Sequence, residues 1–388
     1  MTTSGKLTIG LVCDDSLDRP DGVQQYVLTL GAWLEDQGHT VHYITSGTHT
    51  TALRKLHSIG RNVGVRFNGN RLRVPLPVKA KDLDILFEDT DFDVLHVQMP
   101  YSPFLAGKVI TRAPETTAVI GTFHIFPHSR LVRTGTKVLK QLVRRSLPRF
   151  DEVMSVSSPA QAFAKEAFGI TTGVVPNMVD VRRFRTANMP FHPIDTVNIV
   201  FLGRLVARKG SLQLLKAVHY LHEHKLAHTK FRVVIGGKGP LKEELERYID
   251  AHKLHKLVQL VGFVSEEDKA SFLAGADIAC FPSTGGESFG ISLIEAMAAT
   301  PGVVLAGDNE GYRSVMDVAT DQLFSPTDIP AFARLLASYI DSPVKRGEAH
   351  AWQAGHVRQF DTPIVGRRIL AVYEQALRSR ERKQEKGQ

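Results

Sequence analysis

Two cysteines in 388 residues leave too little thiol for a disulfide framework or a Cys-based metal cluster. Cys13 sits in an apolar run and Cys280 beside Phe281, so both read as small buried thiols of a reducing compartment. Long apolar runs are also missing: no stretch reaches membrane-spanning length. Met1 to Lys6 leads straight into the strand-like Leu7–Val12, without the charged, apolar and cleavable pattern of a secretory leader. The expectation is a cytoplasmic protein that can touch a membrane but not cross it. There is no solenoid period, and the only biased tract is the Arg/Lys/Glu-rich tail from Arg378. His219, His222, His224 and His228 crowd one stretch, but with no H-E-x-x-H pattern and no cysteine nearby they read as exposed helix histidines. Asp82/Asp84 and Asp91/Asp93 read as caps and turns, so no metal site is expected. Gly236-Gly237-Lys238-Gly239-Pro240 lacks the third glycine of a dinucleotide fingerprint and argues weakly for NAD.

What is present is ample apolar content, 43%, in a chain longer than one core usually covers, so two domains are the default. Each half opens with a short apolar strand, a glycine-bearing loop and an amphipathic helix, then continues to alternate, which is the mark of doubly wound α/β domains. Strands are expected at 7–13, 40–45, 94–98, 117–122 and 153–156, then at 197–203, 231–236, 258–261, 278–281 and 303–306. Helices are expected at 23–37, closed by Gly38, and at 212–223, 241–253, 266–274, 289–298, 311–316 and 330–339. Asn188, Pro190, His192 and Pro193 break periodicity in a linker around 185–195. The expected division is 1–187, 188–362 and a final segment 363–388, made of one long helix and a charged tail.

Charge is uneven. Residues 1–185 hold 23 Lys+Arg against 17 Asp+Glu, whereas the remainder is nearly balanced, so the first half faces something anionic. Within it, 130–149 carries Arg130, Arg133, Lys137, Lys140, Arg144, Arg145 and Arg149 and no acid; it reads either as an anionic-membrane patch or as a solvated basic helix. Nucleic acid is not expected, because no aromatic residues interleave with these cations.

The most specific stretch runs from Gly285 to Ala298, with Glu287 and Glu295 eight positions apart. Glycines let backbone approach a ligand, and a helix start after them suits phosphates. Glu295 lies among Leu293, Ile294, Ala296 and Met297, where an unpaired charge would be costly, so a hydroxyl-binding role outranks an incidental one. Arg204 and Lys209, after the strand at 197–203, are placed to neutralise a departing diphosphate without a metal. Arg208 between them reads as a solvated loop cation. Gly22 stands at a helix start where phosphates can sit, and Gln24 is either an acceptor-hydroxyl binder or a helix surface residue. His124 closes a strand and can bond a sugar or shuttle a proton. Asn68, Arg71 and Arg73 form either an anion-binding turn or a polar hairpin.

The Glu287-to-Glu295 spacing resembles the E-x7-E signature of the retaining family 4 glycosyltransferases, and the run from Gly285 to Ala299 is most similar to their phosphatidylinositol mannosyltransferases. The resemblance implies a GT-B fold, two Rossmann-like domains facing across a cleft, with the last helix crossing back to the first domain. It implies an acceptor-binding first domain, with Gln24, Asn68, Arg71 and Arg73, and a nucleotide-sugar-binding second. Donor contacts are implied for Gly22, Arg204, Lys209, Gly237, Val264, Glu287, Ser288, Phe289, Gly290, Ile291 and Glu295, with Glu287 on the sugar hydroxyls and Glu295 on the ribose. His124 and Glu287 would act on the reacting sugar. The expected reaction moves a hexose, mannose from GDP-mannose, to a lipid such as phosphatidylinositol on the inner membrane face. No cofactor is required on this reading, a metal being at most stimulatory. The rivals are the same fold with a UDP-sugar and a soluble acceptor, a nucleotide-sugar epimerase or hydrolase, and a non-catalytic nucleic-acid binder.

Overall fold

A computed structural model describes residues 5–18, 22–60, 62–67, 70–75, 78–125, 139–186, 195–316 and 319–387, except the side chains of 63–67, 70–75, 320, 386 and 387. The chain forms two units, one of Met1–Met178 with Thr362–Gln388, the other Val179–Asp361.

The first unit holds a seven-stranded sheet. Its strands are β1 (Thr8–Cys13), β2 (Thr40–Thr45), β3 (Leu56–Ser58), β6 (Val94–Gln98), β7 (Ala118–Phe123), β8 (Glu152–Ser155) and β9 (Gly173–Val174), while β4 (Asn62–Phe67) and β5 (Asn70–Pro75) make a separate antiparallel hairpin. The order is β3-β2-β1-β6-β7-β8-β9, and every pairing in the sheet is parallel. Central strands buried on both faces read as unbroken apolar runs, which is why β1 and β6 were legible. The second unit repeats the plan with β10 (Val197–Leu202), β11 (Phe231–Gly236), β12 (Val258–Gly262), β13 (Ile278–Phe281), β14 (Val303–Gly307) and β15 (Leu323–Phe324), ordered β12-β11-β10-β13-β14-β15. In both sheets the order reverses beside the first strand, between β1 and β6 and between β10 and β13. Such switch points are where doubly wound sheets hold ligands, beyond the strand carboxyl ends.

Each expected strand is present to within one residue at either end. The two-residue edge strands β9 and β15 have too few residues to show a period, and the helices Ala80–Asp89, Leu105–Arg112 and Pro343–His356 went unassigned. Pro343–His356 buries only Ala349 and Gln353 completely, so it lacks an apolar stripe.

The units divide at Met178/Val179 rather than in the 185–195 stretch. Val179 bridges to Asp361, the Val181 amide donates to the Asp361 carboxylate at 3.2 Å, and helix Val181–Arg185 packs on helices Ile291–Ala299 and Lys269–Ala274. The final helix, Thr362–Gly387, belongs to the first unit. Its buried face, Val365, Ile369, Tyr373 and Ala376, follows helical spacing and joins the core around β1 and helix Gly22–Asp36. Gly366 permits the approach, since a Cβ there would come within 2.5 Å of the Trp33 ring. At the far end Arg380 bonds the backbone and carboxylate of Glu115, and Lys383 reaches the buried Asp151 at 2.8 Å.

Both cysteines are free and buried, and burial pushes the Cys13 thiol up to about 12. No described helix is long and apolar enough to cross a membrane. Of the basic segment, Arg130, Arg133 and Lys137 lie outside the described residues, and Lys140, Arg144 and Arg145 are exposed. Arg149 is corrected: it turns inward, donating to the carbonyls of Pro114 and Thr117 at 2.7 and 2.8 Å and facing Asp151, so it is not a surface cation.

Candidate donor and acceptor sites

In the second unit two loops meet at the switch point, one after β10 and one after β13. Gly210 brings them together: its φ of +76° lies in the left-handed region, and a Cβ would fall 1.8 Å from the Pro282 carbonyl oxygen. The Thr284 amide donates to the Arg208 carbonyl at 2.9 Å, a second tie between the loops. Gly290, at φ +134°, then turns the chain into helix Ile291–Ala299, and a Cβ there would meet the Tyr312 ring at 2.8 Å.

Glu287 lies in the loop before that helix, which starts at Ile291 rather than at 289 as the spacing suggested, because the Gly290 conformation delays helical geometry. Its carboxylate is nearly enclosed, with the side chain 11% exposed. Arg208 Nη1 stands 2.7 Å from Oε1, Lys209 Nζ 2.9 Å from Oε1 and 3.1 Å from Oε2, and Ser283 Oγ 2.9 Å from Oε1. Burial by itself would push the Glu287 pKa up, but Lys209 and Arg208 outweigh it, and the carboxyl titrates below the ordinary glutamate value. Arg208 is thus a member of the cluster. The sequence set it aside as a loop cation because its acidic partner Glu287 is 79 residues away. Arg204 is exposed beyond β10.

Glu295 sits one face deeper, fully buried on helix Ile291–Ala299. Its partner is Lys269, at 2.9 Å, which also pairs with Glu266 at 2.7 Å. Burial raises the Glu295 pKa although Lys269 pulls it down. The inference that its burial called for a ligand is corrected: the structure supplies the counter-ion from Lys269, a residue nothing local in the sequence links to Glu295. The Phe289 side chain is buried edge-on against Phe360, with 5.6 Å between ring centroids, which leaves its backbone to face a ligand. Ser288 and Ile291 are half-buried at the helix mouth. Gly237 and Val264 lie beyond the carboxyl ends of β11 and β12. The Gly237 amide donates to the Gly262 carbonyl at 2.5 Å, and exposed Phe263 beside them carries Lys238 Nζ 4.9 Å above its ring.

In the first unit, helix Gly22–Asp36 starts at Gly22, and Gln24 on its first turn is buried, its amide donating to Asp15 Oδ2 at 3.0 Å. The reading of Gln24 as a helix surface residue is thereby excluded. Asp14, next in the same loop, takes the Ser102 hydroxyl and the Ala106 amide, and burial pushes its pKa up to about 6. His124 follows β7, is 5% exposed, and has Nε2 2.6 Å from Gln98 Oε1. Burial pushes its pKa down to about 3, so near neutrality the ring is uncharged, the state in which it hydrogen-bonds or accepts a proton. Arg71 and Arg73 lie on β5, paired with Arg66 and Gly64, but their side chains and the whole of Asn68 lie outside the described residues. Of the Asp82/Asp84 and Asp91/Asp93 pairs, Asp84 pairs with Arg112, and Asp93 accepts from the Thr8 amide at 2.7 Å.

Each unit is a doubly wound α/β domain, and the second places a cationic pair and a buried carboxylate at its switch point, where such sheets hold ligands. The comparisons specify the class. The family model for glycosyl transferases group 1 matches residues 186–354, and that for Glycosyltransferase Family 4 matches 20–183. A phosphatidyl-myo-inositol mannosyltransferase of Mycobacterium tuberculosis is 31% identical over 377 residues, covering 95% of this chain and 97% of its own. Among solved structures, sucrose-phosphate synthase from Thermosynechococcus elongatus superposes with a TM-score of 0.75 at 18% identity, over 95% of this chain and 99% of that one. Anabaena HepE in complex with UDP-glucose superposes with a TM-score of 0.65 at 17% identity, over 95% and 99%. The fold is that of the GT-B glycosyltransferases, as the resemblance implied. The chain belongs to the family 4 glycosyltransferases.

Proposed function

We propose that this glycosyltransferase moves mannose from GDP-mannose to the inositol of a phosphatidylinositol-type lipid, with retention of anomeric configuration, at the cytosolic face of a membrane. The observation that carries the donor half is the Arg208–Lys209–Glu287 cluster. Without ligand the two cations share the single negative charge of Glu287, which leaves the cluster net positive and open to an anion. A donor diphosphate competes for them, and Glu287 is released to accept hydrogen bonds from hexose hydroxyls. Arg204, exposed nearby in sequence, adds a further cation to the departing diphosphate. Glu295 holds the ribose, drawing on its ionised pair with Lys269, and Gly237, Val264 and the Ser288–Ile291 backbone line the nucleotide. Attack and departure on one sugar face account for retention without a separate base, in keeping with a neutral His124.

The relatives' acceptor supports a phosphatidylinositol-type lipid, and Gln24, Asn68, Arg71 and Arg73 are assigned to it. Lys140, Arg144 and Arg145 surround Leu142, whose side is 61% exposed, a pattern suited to anionic lipid. Each cation is worth about 1 kcal/mol at such a surface, so the described three give reversible binding. The test is mass spectrometry of products from GDP-mannose and phosphatidylinositol vesicles, with UDP-glucose and soluble sugar phosphates in parallel. The expected product is mannosylated phosphatidylinositol. Transfer confined to UDP-glucose or to soluble acceptors overturns the reading, and donor turnover without any acceptor points to a hydrolase.

A further inference from the structure

We propose that Gln98 is a positioning residue for His124: its carbonyl oxygen takes the ring's Nε2–H, fixing one tautomer and leaving Nδ1 as a lone pair for a substrate hydroxyl. The inference rests on the transferase reading and deepens the role of the first unit's switch-point residues.

Gln98 ends β6 and His124 follows β7, neighbouring strands in which Gln98 stands opposite Thr122. The Gln98 side chain is completely buried, and its Oε1 lies 2.6 Å from His124 Nε2. A carbonyl oxygen only accepts, so the ring nitrogen facing it carries the hydrogen. A neutral imidazole has one N–H, which leaves Nδ1 bare. The ring is held from a second side by Tyr26, edge-on at 4.9 Å between centroids. Neutrality is enforced by burial, and the neighbouring His96 is buried too, bonded to Thr122 Oγ1 at 2.6 Å and to the Tyr373 hydroxyl at 2.8 Å.

Two further observations mark Gln98 as more than core filling. Met99, directly after it, has φ +54°, a left-handed conformation uncommon for such a side chain, and its amide donates to the Thr122 carbonyl at 3.2 Å. The backbone is turned there at some conformational expense, and the turn sets where Gln98 ends. The amide nitrogen of Gln98 is also buried with no hydrogen-bond partner among the described residues. A buried amide donor left open is unusual in a settled core. Beside it the neutral ring offers an acceptor, and a hydroxyl is the group that can satisfy either.

The experiment uses the full chain labelled with 15N-histidine, the His124 signals being identified by their loss in His124→Asn. Long-range 1H–15N spectra distinguish the tautomers without reference to activity. The expected wild-type spectrum shows His124 protonated at Nε2 and unchanged from pH 6 to pH 8. Gln98→Met should mix the tautomers and lower kcat about tenfold, the scale of one misdirected hydrogen bond, with donor KM little altered. Gln98→Glu keeps the accepting oxygen and adds charge beside the ring, with Tyr26 and His96 as the other titratable neighbours. It should restore the Nε2–H tautomer and bring a His124 titration into the pH–rate profile. An Nδ1-protonated ring in the wild type overturns the inference, as does a Gln98→Met chain with unaltered spectrum and kcat. The expected tautomer in a chain that transfers no hexose supports the positioning role and sinks the transferase reading instead.

Discussion

Glu287→Gln separates the two duties of the second unit's acidic residue, holding its own loop together and serving a sugar. The carboxylate takes ionic hydrogen bonds from Arg208 at 2.7 Å and Lys209 at 2.9 Å. Bonds to charged groups contribute about 1.5–3 kcal/mol each. Arg208, 34% exposed, falls at the weaker end because water screens it. The amide keeps one accepting oxygen, so the expected loss is about 2–3 kcal/mol, or a fall of roughly 4–12 °C in the thermal midpoint of a unit this size. Because the folded pKa is lowered from the ordinary 4.5, the wild-type contribution is present above that value and lost as pH falls through the folded one. Wild type and variant should therefore converge in strong acid.

Binding should move the other way. With Glu287 neutral, Arg208 and Lys209 face a diphosphate without an internal competitor, so calorimetry should show GDP bound at least as tightly as by the wild type, while hexose transfer falls by about a hundredfold. Lys209→Met, which removes a cation instead of the acid, should weaken GDP binding. If Glu287→Gln weakens GDP binding in parallel with Lys209→Met, the partner-exchange reasoning is wrong.

Three other perturbations probe the frame around these sites. Lys269→Met strands the buried Glu295 carboxylate and should cost about 3 kcal/mol in urea unfolding at neutral pH, a loss that shrinks on acidification as Glu295 protonates; a pH-independent loss would refute the pairing. Asp14, raised to about 6 by burial, contributes stability that is full below its ordinary 3.8 and lost as pH climbs through 6, so Asp14→Asn should flatten the stability profile across that window in chemical denaturation. Arg380→Ala removes the bonds to Glu115 and should cost about 2 kcal/mol and hasten proteolysis of the terminal helix, whereas unchanged cleavage would mean the Arg380 contacts do not hold it.

The sheets were legible because buried parallel strands are short apolar words separated by glycine-bearing loops, a signal complete within each segment. The E-x7-E spacing was legible for the same reason. The helix boundary beside it was not, since the φ of Gly290 is a backbone state that residue type permits without dictating. Arg149 illustrates the opposite error: in a run of cations it looks like its neighbours, and only the carbonyls of Pro114 and Thr117 draw it inward.

By itself the sequence determined the two doubly wound halves and the family, and singled out two glutamates and a set of cations as the chemistry of the second unit. Only the tertiary structure decided which cations those are, that Lys269 serves Glu295, that Gln98 serves His124, and that the last helix completes the first core. The physical reason is distance along the chain. Strand and helix patterns repeat within a few residues, whereas an ion pair such as Lys209 with Glu287 joins residues 78 positions apart and exists only once two loops are folded against each other.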